Sequence, residues 1–287
     1  VMEFSDVFDF SDYDRLIPLV TNSLWAGVLL ALVGGLVGVF VMNRELSFAV
    51  HGISELSFAG AAIFLLFGFD VVFGSVIGSM IAALILSLLG DKSKDRNSIV
   101  AVLMPFGLGL GILALALYPG RAANKFGLLT GQIVAVDDPK LASLAVISAV
   151  VLTLLVIMWR PLLFATLDAE VASARGVNTK ALGIVFVLVL GLAVAAAVQV
   201  VGALLVLALL VTPAAAALRL SKSQLWVPVL SVSFALVAML GGILLALGGG
   251  LPISPYVTTI SFLIYLIARL IAVVKAKGIK EKVLVRS

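Results

Sequence analysis

The sequence predicts an all-α membrane protein, a polytopic bundle of about nine transmembrane helices. Of the 287 residues, 63% are hydrophobic and only 12% are charged, and the mean hydropathy is +1.27. A soluble domain carries roughly 25% charged residues, because its surface faces water. Most of the surface of this chain must therefore face something other than water. This excludes a secreted domain, a soluble enzyme and a nucleic-acid-binding protein.

Apolar stretches long enough to cross a bilayer recur along the whole chain. A spanning helix needs about 20 mostly apolar residues, and the segments that reach or approach this length are 17–42, 48–67, 70–89, 98–118, 141–159, 181–199, 200–217, 227–247 and 256–274. The seventh is the least separated, since only Gln199 and Gly202 divide it from the sixth. An aqueous turn, or a helix broken around a cavity, fits that pattern. We expect one transmembrane domain over residues 1–287.

Lysine and arginine set the expected orientation of the spans, because cytoplasmic loops are enriched in both residues. With nine spans, one side of the membrane collects most of the basic segments, which are 92–96, 160–180, 219–222 and the tail 275–287. That side should be the cytoplasm. The acidic N-terminus, residues 1–16, then lies outside. The loop 119–140 also falls outside although it holds three basic residues, which two adjacent aspartates partly offset.

The second span carries the first chemical signal, in the stretch FAVHGISELSFAG. His51 and Glu55 are the only ionisable residues well inside any predicted span, and their i, i+4 spacing puts both on one helix face. A carboxylate in hydrocarbon costs several kcal/mol, so it should face the bundle interior or a water-filled path. Imidazole with carboxylate suits Zn²⁺, Mn²⁺ or Fe²⁺. The pair therefore indicates metal or proton handling, with a buried His–Glu hydrogen bond or a pair that reaches the interface as the structural alternatives.

Two ligands make a weak metal site, so others would have to come from neighbouring helices. Met80, Met104, Gln199 or water molecules are the candidates. The sequence has no cysteine, which excludes thiolate ligands, disulfides and a cysteine nucleophile. Glycines in the first, third and fourth spans permit close helix packing, a pattern common to membrane folds of every function. Pro213, followed by four alanines, should kink the seventh segment and let its neighbours approach.

The loop at 159–183 outlines a short helix outside the bilayer. Asp168 is a natural N-cap, Glu170 strengthens the first turn and Gly176 fits the C-cap, which predicts a helix over roughly 169–175. Such a helix on the cytoplasmic side is either a docking element for a cytoplasmic partner or a plain connection. The sequence has no GxxxxGK[ST] motif. The chain is therefore not expected to be an enzyme or to hydrolyse ATP unaided.

Together these segments resemble the metal-specific permeases of bacterial ABC importers, which bring in zinc, manganese or iron. The resemblance runs from about residue 18 to 272. It rests on HGISELSFAG at 51–60, FGLLTGQIVAVD at 126–137, DAEVASARGV at 168–177 and VGALLVLALLVTPAAAA at 201–217. Members of that family often read Asp, two residues, Ser, His. Here His51 takes the usual Asp position and Glu55 the usual His position, so the ligand types survive in exchanged order.

The resemblance implies a permease in the bacterial cytoplasmic membrane, surrounded by lipid, that pairs with an identical or closely related chain. Its other partners would be a dimer of ATPase subunits and an extracellular metal-binding lipoprotein or periplasmic protein. The segment 168–176 would be the coupling helix seated in the ATPase, through Asp168, Glu170, Ala172 and Gly176. His51 and Glu55 would contact the transported metal. No bound cofactor is implied.

The predicted function is therefore that of the membrane subunit of an ATP-driven importer of a divalent metal ion. Oxygen-rich sites without cysteine favour manganese, whereas the family resemblance favours zinc. An ion-coupled secondary metal transporter that uses Glu55 is the alternative, although such carriers often show repeat-related broken helices and no convincing internal repeat is present. A structural or receptor-like bundle without transport is the third possibility.

Overall fold

The computed structural model describes residues 13–89, 93–120, 127–128, 136–247 and 253–284, and within these ranges the regular structure is helical. Most of the helices are long and apolar. The α-helices are α1 (Tyr13–Leu16), α2 (Thr21–Asn43), α3 (Ser47–Leu66), α4 (Val71–Leu89), α5 (Ser93–Leu117), α6 (Asp138–Leu167), α7 (Ala169–Ala174), α8 (Thr179–Val201), α9 (Val206–Leu210), α10 (Thr212–Leu220), α11 (Trp226–Leu247) and α12 (Ile253–Leu284). Short 3₁₀ turns at Ile17–Val20 and Ala203–Leu205 precede α2 and α9.

Eight of the described helical segments are long and apolar enough to cross a membrane. They are α2 together with the turns that precede it, α3, α4, α5, α6, α8, α11 and α12. The predicted seventh segment, 200–217, takes another form. The helix α8 ends at Val201, Gly202 adopts a φ of 78°, and the chain resumes as the short apolar stretch Val206–Leu220. The broken-helix alternative is therefore the one that the structure adopts.

The broken segment still runs from one end of the bundle to the other. Gln199 lines a cavity together with Leu65 and Lys140, at the ends of α8 and α3 and the start of α6. Lys222 lines a different cavity with Asn43 and Thr166, at the ends of α2 and α6. We call the Asn43 end the basic end and the Leu65 end the far end. The described chain thus passes between the two ends nine times, eight times as a long helix.

A crossing this short is tolerated because it lies inside the protein. The most buried positions of the segment include Val206, Leu209 and Leu210 on α9 and Ala214 and Ala217 on α10. A lipid-facing span of 15 residues would be too short for the hydrocarbon, but a broken helix is allowed where protein surrounds it. A Cβ built on Gly38 of α2 would overlap the carbonyl oxygen of Leu210, so glycine lets α2 approach this backbone.

The core of the bundle is formed by α2, α3 and α8, and the other long helices surround it. In the most apolar stretch of each helix, 67% of the residues are buried in α2 and α3 and 61% in α8, against 17% in α12. The helix α3 packs between α4 and α5, α2 packs on α11, and α4 packs on α8. Gly60 and Gly74 bring the backbones of α3 and α4 together, as expected for small residues at membrane helix interfaces.

Two helices are longer than the sequence predicts. The fifth span was expected to end near residue 159, with Arg160 in a loop, but α6 continues to Leu167. Leu155, Met158, Leu162 and Ala165 are buried along it at helical spacing, and this stripe keeps the chain helical past Pro161. The last helix runs to Leu284, so part of the predicted basic tail is helical. Residues 1–12 of the predicted acidic N-terminal segment, 1–16, lie outside the described residues.

Candidate metal site

The helix α3 holds the predicted ligands near its N-terminus, in the most buried part of the bundle. It begins at Ser47, so His51 lies in its second turn and Glu55 one turn further on. The buried residues of α3 are mainly small or apolar, and the helix contacts α4, α5, α8 and the start of the broken segment. The intramembrane carboxylate therefore faces protein rather than lipid, as predicted.

His51 and Glu55 approach each other without forming a hydrogen bond. The His51 Nε2 atom lies 3.8 Å from Glu55 Oε1, with 25% of the His51 side chain exposed and 4% of the Glu55 side chain. A hydrogen bond between them would need about 2.7–3.2 Å. Two ligands held about 2.1 Å from one tetrahedral ion stand about 3.4 Å apart. The observed distance of 3.8 Å is too long for a hydrogen bond, and it is about 0.4 Å longer than the spacing of two ligands on one ion.

Each of the two side chains also keeps a second buried polar atom without a protein partner. His51 Nδ1 and Glu55 Oε2 are both buried, and no hydrogen-bond partner for either lies in the part of the chain that the structure describes. Buried polar groups are otherwise satisfied in about nine cases of ten. A buried carboxylate and imidazole with unused acceptor atoms are suited to a cation.

The other predicted ligands lie on helices that neighbour α3. The Met80 methyl group lies against Gly191 of α8, and Met104 packs with the hydrophobic core. Gln199 lines the far-end cavity of about 240 Å³ and has a buried Nε2 without a partner in the described chain. No group of three or more His, Cys, Asp or Glu residues able to hold an ion occurs among the described residues. Any further protein ligand among the described residues would therefore be a residue other than His, Cys, Asp or Glu.

A chain of serine hydroxyls beyond Glu55 links three helices and was not predicted. Ser57 of α3 and Ser75 of α4 have their hydroxyl oxygens 2.7 Å apart, and the Ser57 hydroxyl also lies 3.1 Å from the Ser75 carbonyl oxygen. The Ser75 hydroxyl donates to the Ala195 carbonyl of α8 at 3.3 Å. Ser57 follows Glu55 by two residues, so these bonds fix α3 against its neighbours close to the site. The sequence signal was only the small-residue pattern.

The glycines of α5 bring its backbone against α3 at the level of Glu55. A Cβ built on Gly107 would lie 2.7 Å from Leu56 Cδ1 and 3.0 Å from the Glu55 carbonyl carbon. Gly109, two residues later, has no such neighbour within 4 Å. Gly107 is therefore the small residue on α5 that lets the site close tightly around the Glu55 backbone.

The predicted short helix outside the spans is present as α7. The Asp168 carboxylate accepts a hydrogen bond from the Val171 N–H at 2.9 Å, which makes it the N-cap. Gly176 has a φ of 85°, its N–H donates to Ser173, and the next N–H donates to Ala172. These bonds form a Schellman motif. The helix therefore begins and ends at the positions that the sequence indicated.

The named side chains of α7 point in different directions. Glu170 is exposed, whereas Ala172 is fully buried against the bundle. Ala172 therefore anchors the helix to the bundle, and the opposite face of the helix is exposed. Val171 is 45% exposed, an apolar residue on that face that the sequence analysis did not single out. No signal in the sequence marks it, because the burial of Ala172 follows only from the packing of α7 on the bundle.

Comparison with known proteins identifies the family of this bundle. Residues 17–272 match the ABC 3 transport family. The chain belongs to that family. The match covers almost the whole described bundle, including α3 and α7, and it confirms the resemblance on which the sequence analysis relied. This ABC 3 family chain is a multi-pass helical membrane protein.

Individual relatives of this ABC 3 family chain carry names that refer to metals. It is 28% identical over 234 residues to a protein of Halalkalibacterium halodurans named manganese transport system membrane protein MntC, and the match covers 80% of each chain. It is 28% identical over 257 residues to a protein of Buchnera aphidicola subsp. Schizaphis graminum named high-affinity zinc uptake system membrane protein ZnuB. That match covers 89% of this chain and 98% of the relative.

A solved structure shares the fold. The structure titled PsaBC from Streptococcus pneumoniae in complex with Fab superposes with a TM-score of 0.81, at 24% sequence identity, over 91% of this chain and 95% of that one. At this identity the likeness concerns the fold. The ABC 3 family chain thus shares its helical arrangement with this solved structure over most of both chains.

Proposed function

We propose that this chain is the membrane-spanning permease subunit of an ATP-binding-cassette importer for a divalent transition-metal ion, manganese or zinc. The observation that carries the proposal is the His51–Glu55 pair on α3, in which Glu55 is buried and each side chain has an unpartnered buried polar atom. Membership of the ABC 3 transport family and the names of the manganese and zinc relatives support the same function.

The metal would be the transported substrate, and the pair would bind it in transit. Glu55 supplies a negative charge in a low-dielectric interior, where a cation gains more from it than in water. His51 is the more exposed member and would meet the ion first on one side of the site. Imidazole and carboxylate are shared by manganese and zinc sites, so these two residues accept either metal.

Movement of the ion would follow from alternating access driven by a separate ATPase. The exposed face of α7 would sit in a groove of the ATPase, so that closure of the ATPase dimer pushes on Glu170 and Val171. Ala172 and the caps at Asp168 and Gly176 would pass the displacement to α6 and α8, because they hold α7 between those helices. Such rigid-body switching is one of the known repertoires of conformational change.

The orientation that we expect for the chain indicates where its partners would bind. The basic end would be cytoplasmic, because arginine and lysine residues gather there, and α7 follows α6 at that end. The ATPase dimer would then bind at the basic end and an extracellular metal-binding protein at the far end. A second permease chain, identical or closely related, would complete the transport path.

Transport by purified components separates this function from the secondary-transporter alternative. The chain is reconstituted in proteoliposomes with its ATPase and binding protein, and uptake of manganese, zinc and iron is followed with and without ATP. We expect uptake of one of these metals that requires ATP. Uptake by the chain alone, driven by a proton gradient without the ATPase, would establish an ion-coupled transporter. An assembled complex that hydrolyses ATP but moves none of the three metals would refute the substrate class.

A further inference from the structure

A second polar site lies at the basic end of the bundle, away from the metal pair. A cavity of about 160 Å³ opens between the α2–α3 turn, the end of α4 and the starts of α5 and α8. Three basic residues line it, each from a different element: Arg44, Arg96 and Lys180. Ser87 and Thr179 add hydroxyl groups, and Gly183 leaves space beside Arg44. The metal-transport function uses none of these residues.

The two guanidinium groups in this cavity lack a full set of protein partners. Arg44 Nη1 and Arg96 Nε are buried, and neither has a hydrogen-bond acceptor among the residues described. The Arg44 guanidinium carbon lies 5.8 Å from the Phe186 ring centre, which positions the side chain without providing an acceptor. The Arg96 Nη2 atom donates to the Glu45 carbonyl oxygen at 3.4 Å, and the exposed Glu45 side chain is the acidic neighbour of Arg96.

The charges around Arg44 are unfavourable in the absence of an anion. Burial, and then the positive charge of Arg96, lower the pKa of Arg44 below its usual value. Arginine stays protonated in proteins, so this shift reports a cation that is poorly solvated and repelled rather than one that loses its proton. Two converging cations with unused donors are complementary to an oxyanion, and arginine forks match phosphate geometry.

The position of the cavity at the ends of the spans, and the apolar surface beside it, indicate where the anion comes from. Arg44 directly follows the span that ends at Asn43, and Lys180 is the second residue of the span that begins at Thr179. Residues at the ends of membrane-spanning helices are expected at the level of the lipid headgroups. An apolar stripe runs along α4 from Leu88, the residue after Ser87, through Leu84 and Ile81 to Ile77. All four side chains are exposed, and they lie at helical spacing. Acyl chains can lie along that stripe while a headgroup fills the cavity.

We propose that the cavity at Arg44 and Arg96 binds the phosphate of an anionic phospholipid whose acyl chains lie along α4. Basic pockets between membrane helices are a recognised form of lipid binding. The bound phosphate supplies the acceptors that Arg44 and Arg96 lack and joins the α2–α3 turn to the starts of α5 and α8. The lipid is then a structural ligand of the basic end.

Native mass spectrometry of the purified chain in detergent tests this site. Phosphatidylglycerol is titrated in, with phosphatidylcholine as the zwitterionic comparison, on wild type, Arg44→Gln, Arg96→Gln and Arg219→Gln. Arg219 is an exposed arginine at the same end and is not part of the cavity. We expect Arg44→Gln and Arg96→Gln to weaken phosphatidylglycerol binding by about tenfold or more, because each removes charge-assisted hydrogen bonds. Arg219→Gln should bind as wild type does.

Two further arms keep the outcome decisive. Ser87→Leu fills the cavity without changing charge and should weaken phosphatidylglycerol binding to a similar degree, which covers the case in which Arg44→Gln fails to fold. Millimolar inorganic phosphate is added in competition. Displacement of the lipid by inorganic phosphate would assign the cavity to a free anion and overturn the lipid source. Equal phosphatidylglycerol binding by wild type, Arg96→Gln and Ser87→Leu would overturn the site altogether.

Discussion

The His51 Nε2 atom lies 3.8 Å from the Glu55 Oε1 atom on one face of α3, too far for a hydrogen bond and near the spacing of two ligands on one ion. The pair is held in one of the two most buried helices of the bundle, and each residue keeps a buried polar atom without a partner in the described chain. A structural hydrogen bond would have closed this distance. This geometry is the basis of our proposal that the pair contacts the transported metal.

Replacing Glu55 by glutamine should abolish most metal transport. The substitution keeps the shape of the side chain but removes the charge that attracts the ion, and changes around metal ligands typically cost 10–100-fold in affinity or activity. We expect ATP-dependent uptake in proteoliposomes to fall by more than about tenfold. His51→Gln should act in the same direction.

Ser54→Ala is the matched control for this substitution. Ser54 is buried on the same helix, but its hydroxyl donates to the His51 carbonyl within α3. Removing this hydroxyl therefore leaves both proposed metal ligands in place. Uptake by Ser54→Ala should remain close to that of wild type. Wild-type uptake by an assembled Glu55→Gln complex would mean that the pair is structural.

The packing of α5 against α3 gives a second prediction, because two glycines on one helix differ in what surrounds them. Gly107→Ala places a methyl group against the Glu55 backbone and the Leu56 side chain, and overpacking of this kind costs about 1–3 kcal/mol. We expect a lower melting temperature and reduced metal uptake. Both are measured on the purified complex, by thermal unfolding and by uptake into proteoliposomes.

Gly109→Ala is the control, since nothing lies within 4 Å of its added methyl group. It changes helix propensity in the same way as Gly107→Ala and should leave both stability and uptake intact. If the two variants behave alike, the close approach of α5 to Glu55 is not what the site requires.

A third prediction concerns the exposed face of α7. Glu170→Lys reverses a charge on the face that we assign to the ATPase, while Ala172 and the caps remain to hold the helix in place. We expect metal-stimulated ATP turnover to fall to the basal rate in a complex that still assembles. Arg219→Glu, a charge reversal elsewhere at the basic end, should turn over ATP as wild type does. Unchanged stimulation in Glu170→Lys would count against α7 as the coupling helix.

Much of this architecture could be predicted from the sequence because the membrane constrains it strongly. Apolar runs of about 20 residues predict the long helices. The only ionisable residues well inside a predicted span identify His51 and Glu55 as the candidate pair. The capping residues of α7 are local signals, and the helix ends where Asp168 and Gly176 placed its ends. In each of these cases the deciding interactions lie within a few residues along the chain.

The remaining features depend on contacts between distant residues. Nothing near Gln199 shows whether the chain turns in water or breaks inside the protein, since the answer depends on the burial of α9 and α10. The hydroxyls of Ser57 and Ser75 meet only once α3 and α4 are packed. Arg44 lies in the α2–α3 turn and Arg96 near the start of α5, and their shared cavity forms where these two elements meet α4 and α8. Hydropathy carries no information on such convergence.

The number of passes through the membrane gives the last prediction, because it fixes the two ends of the chain on opposite sides. With the broken segment counted as a crossing, a tag before Phe4 should be accessible in intact cells, and a tag after Lys275 only after lysis. The positive-inside pattern sets this direction. If Val206–Leu220 did not cross, eight passes would put both tags on the same side. Impermeant labelling of singly tagged chains therefore distinguishes the two topologies, and equal accessibility of both tags in intact cells would exclude nine crossings.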